Sequence, residues 1–157
     1  MKRLRSLLPI FLAAFAILLV SCGGSVAKAP PVYTPEKIAE IQRYMTPVYA
    51  ARERMPELAE YIEAEDWRNV SSFIHGPLGG LSSSMGYINR SVVLPKDRPA
   101  LEEAYESFYK DIERLDAAVQ DNTYSFAIAG YTSTLKDFDA YIDLIPTESD
   151  IESDMAS

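Results

Sequence analysis

The sequence predicts an all-α protein, an up-down-up-down four-helix bundle whose first helix is kinked by proline. Three observations lead there. Apolar residues recur every three or four positions through four stretches between residues 34 and 146. The connections between those stretches are short, as antiparallel helical neighbours require. No Asn-Gly or Asp-Gly turn separates runs of alternating polarity, so the hairpin signal of a sheet is missing. Of the chain's 157 residues, about 110 fall in the patterned region, enough for one packed core.

The first helix opens on Thr34-Pro35-Glu36, which supplies an N-cap, a proline in the first turn and an early acid. Its apolar stripe is Ile38, Ile41, Met45, Val48, Met55, Leu58 and Ile62. Pro47 and Pro56 lie inside it, and each removes a backbone hydrogen bond, so kinks or a break are expected. The second helix starts near Asp66 and carries Trp67, Val70, Ile74, Leu78, Leu81, Met85, Ile88 and Val92. The third follows "LPKDRP" with Leu101, Ala104, Phe108, Ile112, Leu115 and Val119. The fourth follows "QDN" with Tyr124, Ile128, Tyr131, Leu135, Phe138, Ile142 and Ile145, a heptad-like rhythm that Pro146 ends. Trp67, Phe73, Phe108 and Phe138 are the expected aromatic core. Residues 147–157 are acidic and small and are expected to be disordered.

The start of the chain belongs to export. Lys2, Arg3 and Arg5 precede an apolar run over 7–20, and small residues follow at a cut site. That run is shorter than the roughly 20 residues a membrane-crossing helix needs. Leu19-Val20-Ser21-Cys22 resembles a bacterial lipobox, so 1–21 reads as a lipoprotein signal peptide and Cys22 as the lipid-bearing residue. An uncleaved membrane anchor, or a dimer bridged through Cys22, are the alternatives. A lone cysteine forms no internal disulfide. Residues 22–33, rich in Gly, Ala and Pro, read as a flexible linker between the lipid and the fold.

Charge narrows the partners. The whole chain carries a net −8, and loss of Lys2, Arg3 and Arg5 leaves 12 basic residues against 23 acids, a net −11. That balance argues against a phosphate-reading surface and against electrostatic adhesion to anionic lipid headgroups. The lipid on Cys22, not charge, would hold the protein to a membrane.

Catalytic patterns are missing. His75 is the single histidine, and no G-x-S-x-G turn or E-x-x-H pair accompanies it. It reads as a structural or interface residue at the edge of the core. Glu102, Glu103, Glu106, Glu113, Asp116 and Asp121 read as a solvated face of the third helix that could bind cations weakly. No calcium loop and no phosphate-cradling glycine loop occurs. The expectation is a protein without enzymatic activity, without a small-molecule substrate and without a cofactor of its own.

The second helix poses the sharper question. Residues 72–86 hold four of the seven glycines together with Pro77. Glycine costs about 1 kcal/mol in a helix interior and proline about 3. The face opposite the apolar stripe reads Asn69, Ser72, Gly76, Gly79, Gly80, Ser83, Tyr87 and Arg90, with His75 beside it. No acid occurs over 67–96, whereas the third helix is acidic outside. This face is read as a docking surface that lets a partner approach the backbone, with Arg90, Lys96 and Arg98 steering an acidic patch to its far end. A kink at Pro77 with no partner, or a glycine face packed inside the bundle, are the competing readings.

Four segments together resemble the PsbQ family, in its cyanobacterial lipoprotein branch: "YMTPVYAARERMPELAEYI", "DWRNVSSFIHGPLGGL", "VLPKDRPALEEAYESFYKDIERLDAA" and "LKDFDAYIDLIP". The resemblance spans about residues 34–146. It implies an extrinsic subunit of photosystem II on the lumenal side of the thylakoid membrane. The implied neighbours are the large core antenna subunit and the extrinsic proteins PsbO and PsbV. The implied role is to stabilise the oxygen-evolving complex and help retain its calcium and chloride. The family offers no catalytic motif to carry over, and its plant members have a longer N-terminal region and no lipobox. The rival class is an exported lipoprotein that binds a small ligand or metal within a helix bundle.

Overall fold

The computed structural model describes residues 31–155. The signal peptide, Cys22 and most of the linker lie outside these residues. Among the described residues every regular element is helical. The first rod is α1 (Pro35–Glu53) followed by α2 (Met55–Glu63). Thr34 caps α1 by accepting from the Lys37 amide at 3.3 Å. Pro47 is carried inside α1 without a break, on the exposed side where water can satisfy the carbonyl it leaves open. The break comes instead at Arg54, two residues before Pro56.

The second rod comprises α3 (Trp67–Phe73), a π turn over Ile74–Leu78, α4 (Leu81–Tyr87) and a second π turn over Ile88–Val92. Asp66 caps it by accepting from the Asn69 amide at 3.2 Å. Pro77 has no N–H to give and its ring would crowd the Phe73 carbonyl. The wider turn relieves both, and Gly79 N–H donates five residues back to Ile74 O at 2.8 Å. Val93 N–H likewise donates to Ile88 O at 3.1 Å in the second π turn.

The third and fourth rods are unbroken: α5 (Arg98–Gln120) and α6 (Tyr124–Asp143). Phe108 meets Phe138 at 4.5 Å between ring centroids, while a Cβ on Gly130 would lie 3.1 Å from Leu115 Cα. Those two contacts run in opposite order along the chain, so α5 and α6 are antiparallel. The first and second rods are antiparallel by the same argument. Tyr44 meets Tyr87 at 4.4 Å, and the Arg54 guanidinium lies 5.1 Å from the Phe73 ring centroid.

The stripes expected for the first three rods are buried, with Trp67 and Ala104 half-buried. The fourth departs from its expected stripe. Its most buried residues are Ala127, Thr134, Phe138 and Tyr141, whereas Ile128, Tyr131, Leu135 and Ile142 pack at the shoulder and Tyr124 is exposed. Ala127, Gly130 and Thr134 are small enough to bring α6 close to α5, so the contact line follows them rather than the bulkiest side chains. Trp67 is also a shoulder residue, while Phe73, Phe108 and Phe138 are buried.

Two boundaries differ from expectation. Tyr33, placed in the flexible linker, is buried, and its hydroxyl donates to Asp97 Oδ2 at 2.6 Å and accepts from the Leu94 amide at 3.1 Å. The tail expected to be disordered forms α7 (Glu148–Met155), which packs on α1 with Ile151 against the core. Thr147 N–H donates to Asp150 Oδ2 at 2.8 Å and so starts that helix.

Candidate docking surface

The sequence expects eight residues along the outer side of the second rod. Asn69, Ser72, Gly76, Gly79, Gly80, Ser83, Tyr87 and Arg90 are all exposed. A glycine face packed inside the bundle is therefore ruled out. The polar side chains bond to near neighbours in the chain: Ser72 Oγ donates to Arg68 O at 2.9 Å, and Asn69 Nδ2 to the Asp66 carboxylate at 2.7 Å. The seam between the first and second rods carries two shallow hollows that share Arg54 and Pro77. One reaches toward Asn69 and Ser72, the other toward Pro47 and Gly80.

The glycines have separate reasons. A Cβ on Gly79 would stand 2.8 Å from the His75 carbonyl oxygen, so the π turn itself demands glycine there. A Cβ on Gly80 would be 3.3 Å from Gly76 O, tight but not excluded. A Cβ on Gly76 would meet nothing within 4 Å. Among the three exposed glycines, Gly76 alone has no explanation within the chain.

Several expected members sit elsewhere. His75, expected at the core edge, has its side chain 65% exposed, with Nε2 3.1 Å from Asp116 Oδ1. The imidazole N–H is not aligned for a hydrogen bond to that oxygen, so the contact is an ion pair when the ring is protonated. Lys96 and Arg98 lie beyond the rod and lean on their own chain. Arg98 Nε donates to Val93 O at 3.3 Å, and Lys96 Nζ is 5.6 Å from the Tyr33 ring centroid. Arg90 remains on the rod, its guanidinium folded toward Gly86. The acid-free stretch is also bordered in space by acids of the first rod. Tyr87 OH reaches Glu40 Oε1 at 3.5 Å, and Glu57 lines one hollow, bonded to Arg54 at 2.9 Å. The face is neutral and small rather than basic.

Three features escaped the sequence reading. Asn89 is buried in the second π turn, where Nδ2 donates to Leu101 O at 3.3 Å and Oδ1 accepts from Tyr141 OH at 2.9 Å. It joins the second, third and fourth rods, and burial pushes the Tyr141 phenol well above its ordinary range. Arg52 pairs with Asp139 through Nε–Oδ1 at 2.5 Å and Nη2–Oδ2 at 3.0 Å. That pair holds the Asp139 carboxyl below its ordinary range. Tyr33 closes one end, its phenol raised by burial and then by Asp97. Among the described residues no helix is long and apolar enough to cross a membrane, and no group of three His, Cys, Asp or Glu could hold a metal.

Comparison with known proteins gives this arrangement its context. The family model of PsbQ, oxygen evolving enhancer protein 3, matches residues 3–146. CyanoQ of Synechocystis sp. (strain ATCC 27184 / PCC 6803 / Kazusa) is 39% identical over 150 residues, covering 95% of this chain and 100% of that protein. A match across nearly the whole chain, and a bundle that keeps the segments carrying the resemblance, show that this chain belongs to the PsbQ family.

Proposed function

We propose that this protein is a non-catalytic extrinsic subunit of photosystem II, held on the lumenal side of the thylakoid membrane. The family match over residues 3–146 carries that reading. The docking surface is the outer face of the second rod, where Gly76, Gly80 and Ser83 expose backbone with little side chain and no charge. Its partners are the core antenna subunit and the extrinsic proteins PsbO and PsbV. A surface of this kind associates through shape and desolvated backbone, since it has few charges to steer with. A subunit seated there stabilises the bound state of its neighbours by mass action, which slows the local opening through which calcium and chloride would escape. The lipid on Cys22 keeps the subunit near that site by raising its effective concentration.

The test separates folding from docking. Ser83→Glu places a charge on the face at an exposed helical position, so thermal melts should stay within about 0.5 kcal/mol of the parent. Co-purification with photosystem II in mild detergent should fall, whereas Glu103→Gln on α5 should leave it unchanged. Equal recovery of Ser83→Glu and the parent would place the docking face elsewhere.

A further inference from the structure

We propose that the groove between α5 and α6 is a contact surface for a second copy of this chain, related to the first by a two-fold axis near Ala117. The groove has a volume of about 410 Å³ and a floor of small residues, Ala117, Ala118, Ala129 and Gly130. Phe126 stands at its edge 69% exposed, more than any other large apolar side chain among the described residues. A bulky apolar group beside a small-residue hollow is complementary to a copy of itself, provided a two-fold exchanges the two.

The charges point to the same occupant. Arg114 marks one end of the groove, with its side chain 63% exposed and Nη1 held by Asp111 Oδ1 at 2.6 Å. Asp121, exposed, marks the other end two helical turns away, about 10 Å along α5. A two-fold between them sets each Arg114 against the second copy's Asp121, twice over. Arg114 keeps its other guanidinium N–H groups for that contact, since Asp111 is bonded to Nη1. The apolar register agrees. Gly130 lies against Leu115, and Phe126 is one turn before Gly130 on the antiparallel helix, so it sits toward the Asp121 end. The same rotation carries it over the second copy's Ala129 and Gly130. The groove shares no residue with the face of the second rod, so either proposal can fail without the other.

The experiment uses the full chain in membranes isolated from cells that produce it. Ala117→Cys is treated with a short bismaleimide, and the parent, with Cys22 alone, sets the background. A residue near a two-fold meets its own counterpart, so an adduct of two copies of this chain is expected. Glu60→Cys, exposed on the first rod, should give none above background. Asp121→Arg and Phe126→Asp, each added to Ala117→Cys, should lower the yield about tenfold or more, because each sets like charge or a buried acid into the contact. Both positions are exposed, so the fold is kept, and a thermal melt of each variant checks it. The proposal is overturned if Ala117→Cys links no better than Glu60→Cys, if the two disrupting variants link as well as the parent pair, or if the adduct contains a different protein.

Discussion

The second rod and α5 bury apolar stripes of the same rhythm and differ on every other side. α5 runs 23 residues without interruption, with Glu103, Glu106, Lys110 and Glu113 facing water. The second rod is broken into four pieces by two π turns and shows glycine and serine to the outside. A buried stripe is what any bundle helix needs, so it reports fold. The outer side is free of that demand, so its departures report either local backbone chemistry or a partner. The comparison separates these at single residues: Gly79 belongs to the backbone and Gly76 does not.

The largest expected effect tests whether the π turns are merely tolerated or hold the bundle together. The second one turns Asn89 inward, where it serves Leu101 O and the Tyr141 hydroxyl. Asn89→Ala leaves that hydroxyl fully buried, with only Met85 O at 3.5 Å as a distant acceptor. The unfolding free energy should drop by about 2–3 kcal/mol, read by denaturant melts. On α5, Gln120→Ala removes a bond to Asp116 of 2.6 Å, but on the exposed side, and should change stability by less than about 0.5 kcal/mol. Similar losses for the two would erase the distinction between the rods.

An intermediate effect, of opposite sign at two neighbouring sites, sharpens the same contrast. Helix propensity alone predicts that alanine stabilises both Gly76 and Gly79 by about 1 kcal/mol. The structure reverses one of them. At Gly76 the new Cβ meets nothing within 4 Å, and the gain should appear in thermal melts. At Gly79 it would stand 2.8 Å from the His75 carbonyl oxygen, and the backbone would have to shift, at a cost of about 1–3 kcal/mol. Two gains of equal size would mean that the π turn imposes no constraint.

These cases show what could be read from sequence. Periodicity located the rods, because burying a stripe is a one-dimensional demand. It failed on α6, where the contact line follows Ala127, Gly130 and Thr134; periodicity weights large side chains, while close helix approach is decided by small ones. The exposed face of the second rod was legible from missing acids, but not the position of Glu40 and Glu57 beside it, which depends on how the first rod packs. Asn89 carried no signal, since only the extra residue of a π turn brings it inside. Tyr33 followed a Pro-Pro pair in a stretch that reads as linker, and its burial depends on Leu94 and Asp97, more than sixty positions away.

The smallest effect concerns how the two sides of the bundle respond to acid. The buried bonds of the second rod to its neighbours include two neutral tyrosine hydroxyls, Tyr141 on Asn89 Oδ1 at 2.9 Å and Tyr109 on Leu78 O at 3.4 Å, beside the Asn89 amide that also reaches Glu102 Oε2 at 3.2 Å. The first rod is joined to α6 through Arg52 and Asp139. Asp139 has a carboxyl pKa below its ordinary value, so the folded state favours its charged form. Its contribution is therefore fully present above the unfolded pKa of about 3.9 and is lost as pH falls through the lowered folded value. Asp139→Asn should be less stable than the parent at pH 7, and the gap should hold down to about pH 4 and then close. With the two side chains 32% and 47% exposed, solvent screens the pair, and the gap should stay below about 1 kcal/mol. High salt should narrow it further. In Asn89→Ala the main loss is the partner of the neutral, fully buried Tyr141 hydroxyl, so most of it should persist through the same acid range. A gap for Asp139→Asn that widens below pH 4 would mean that the first rod and α6 are not held by this charge.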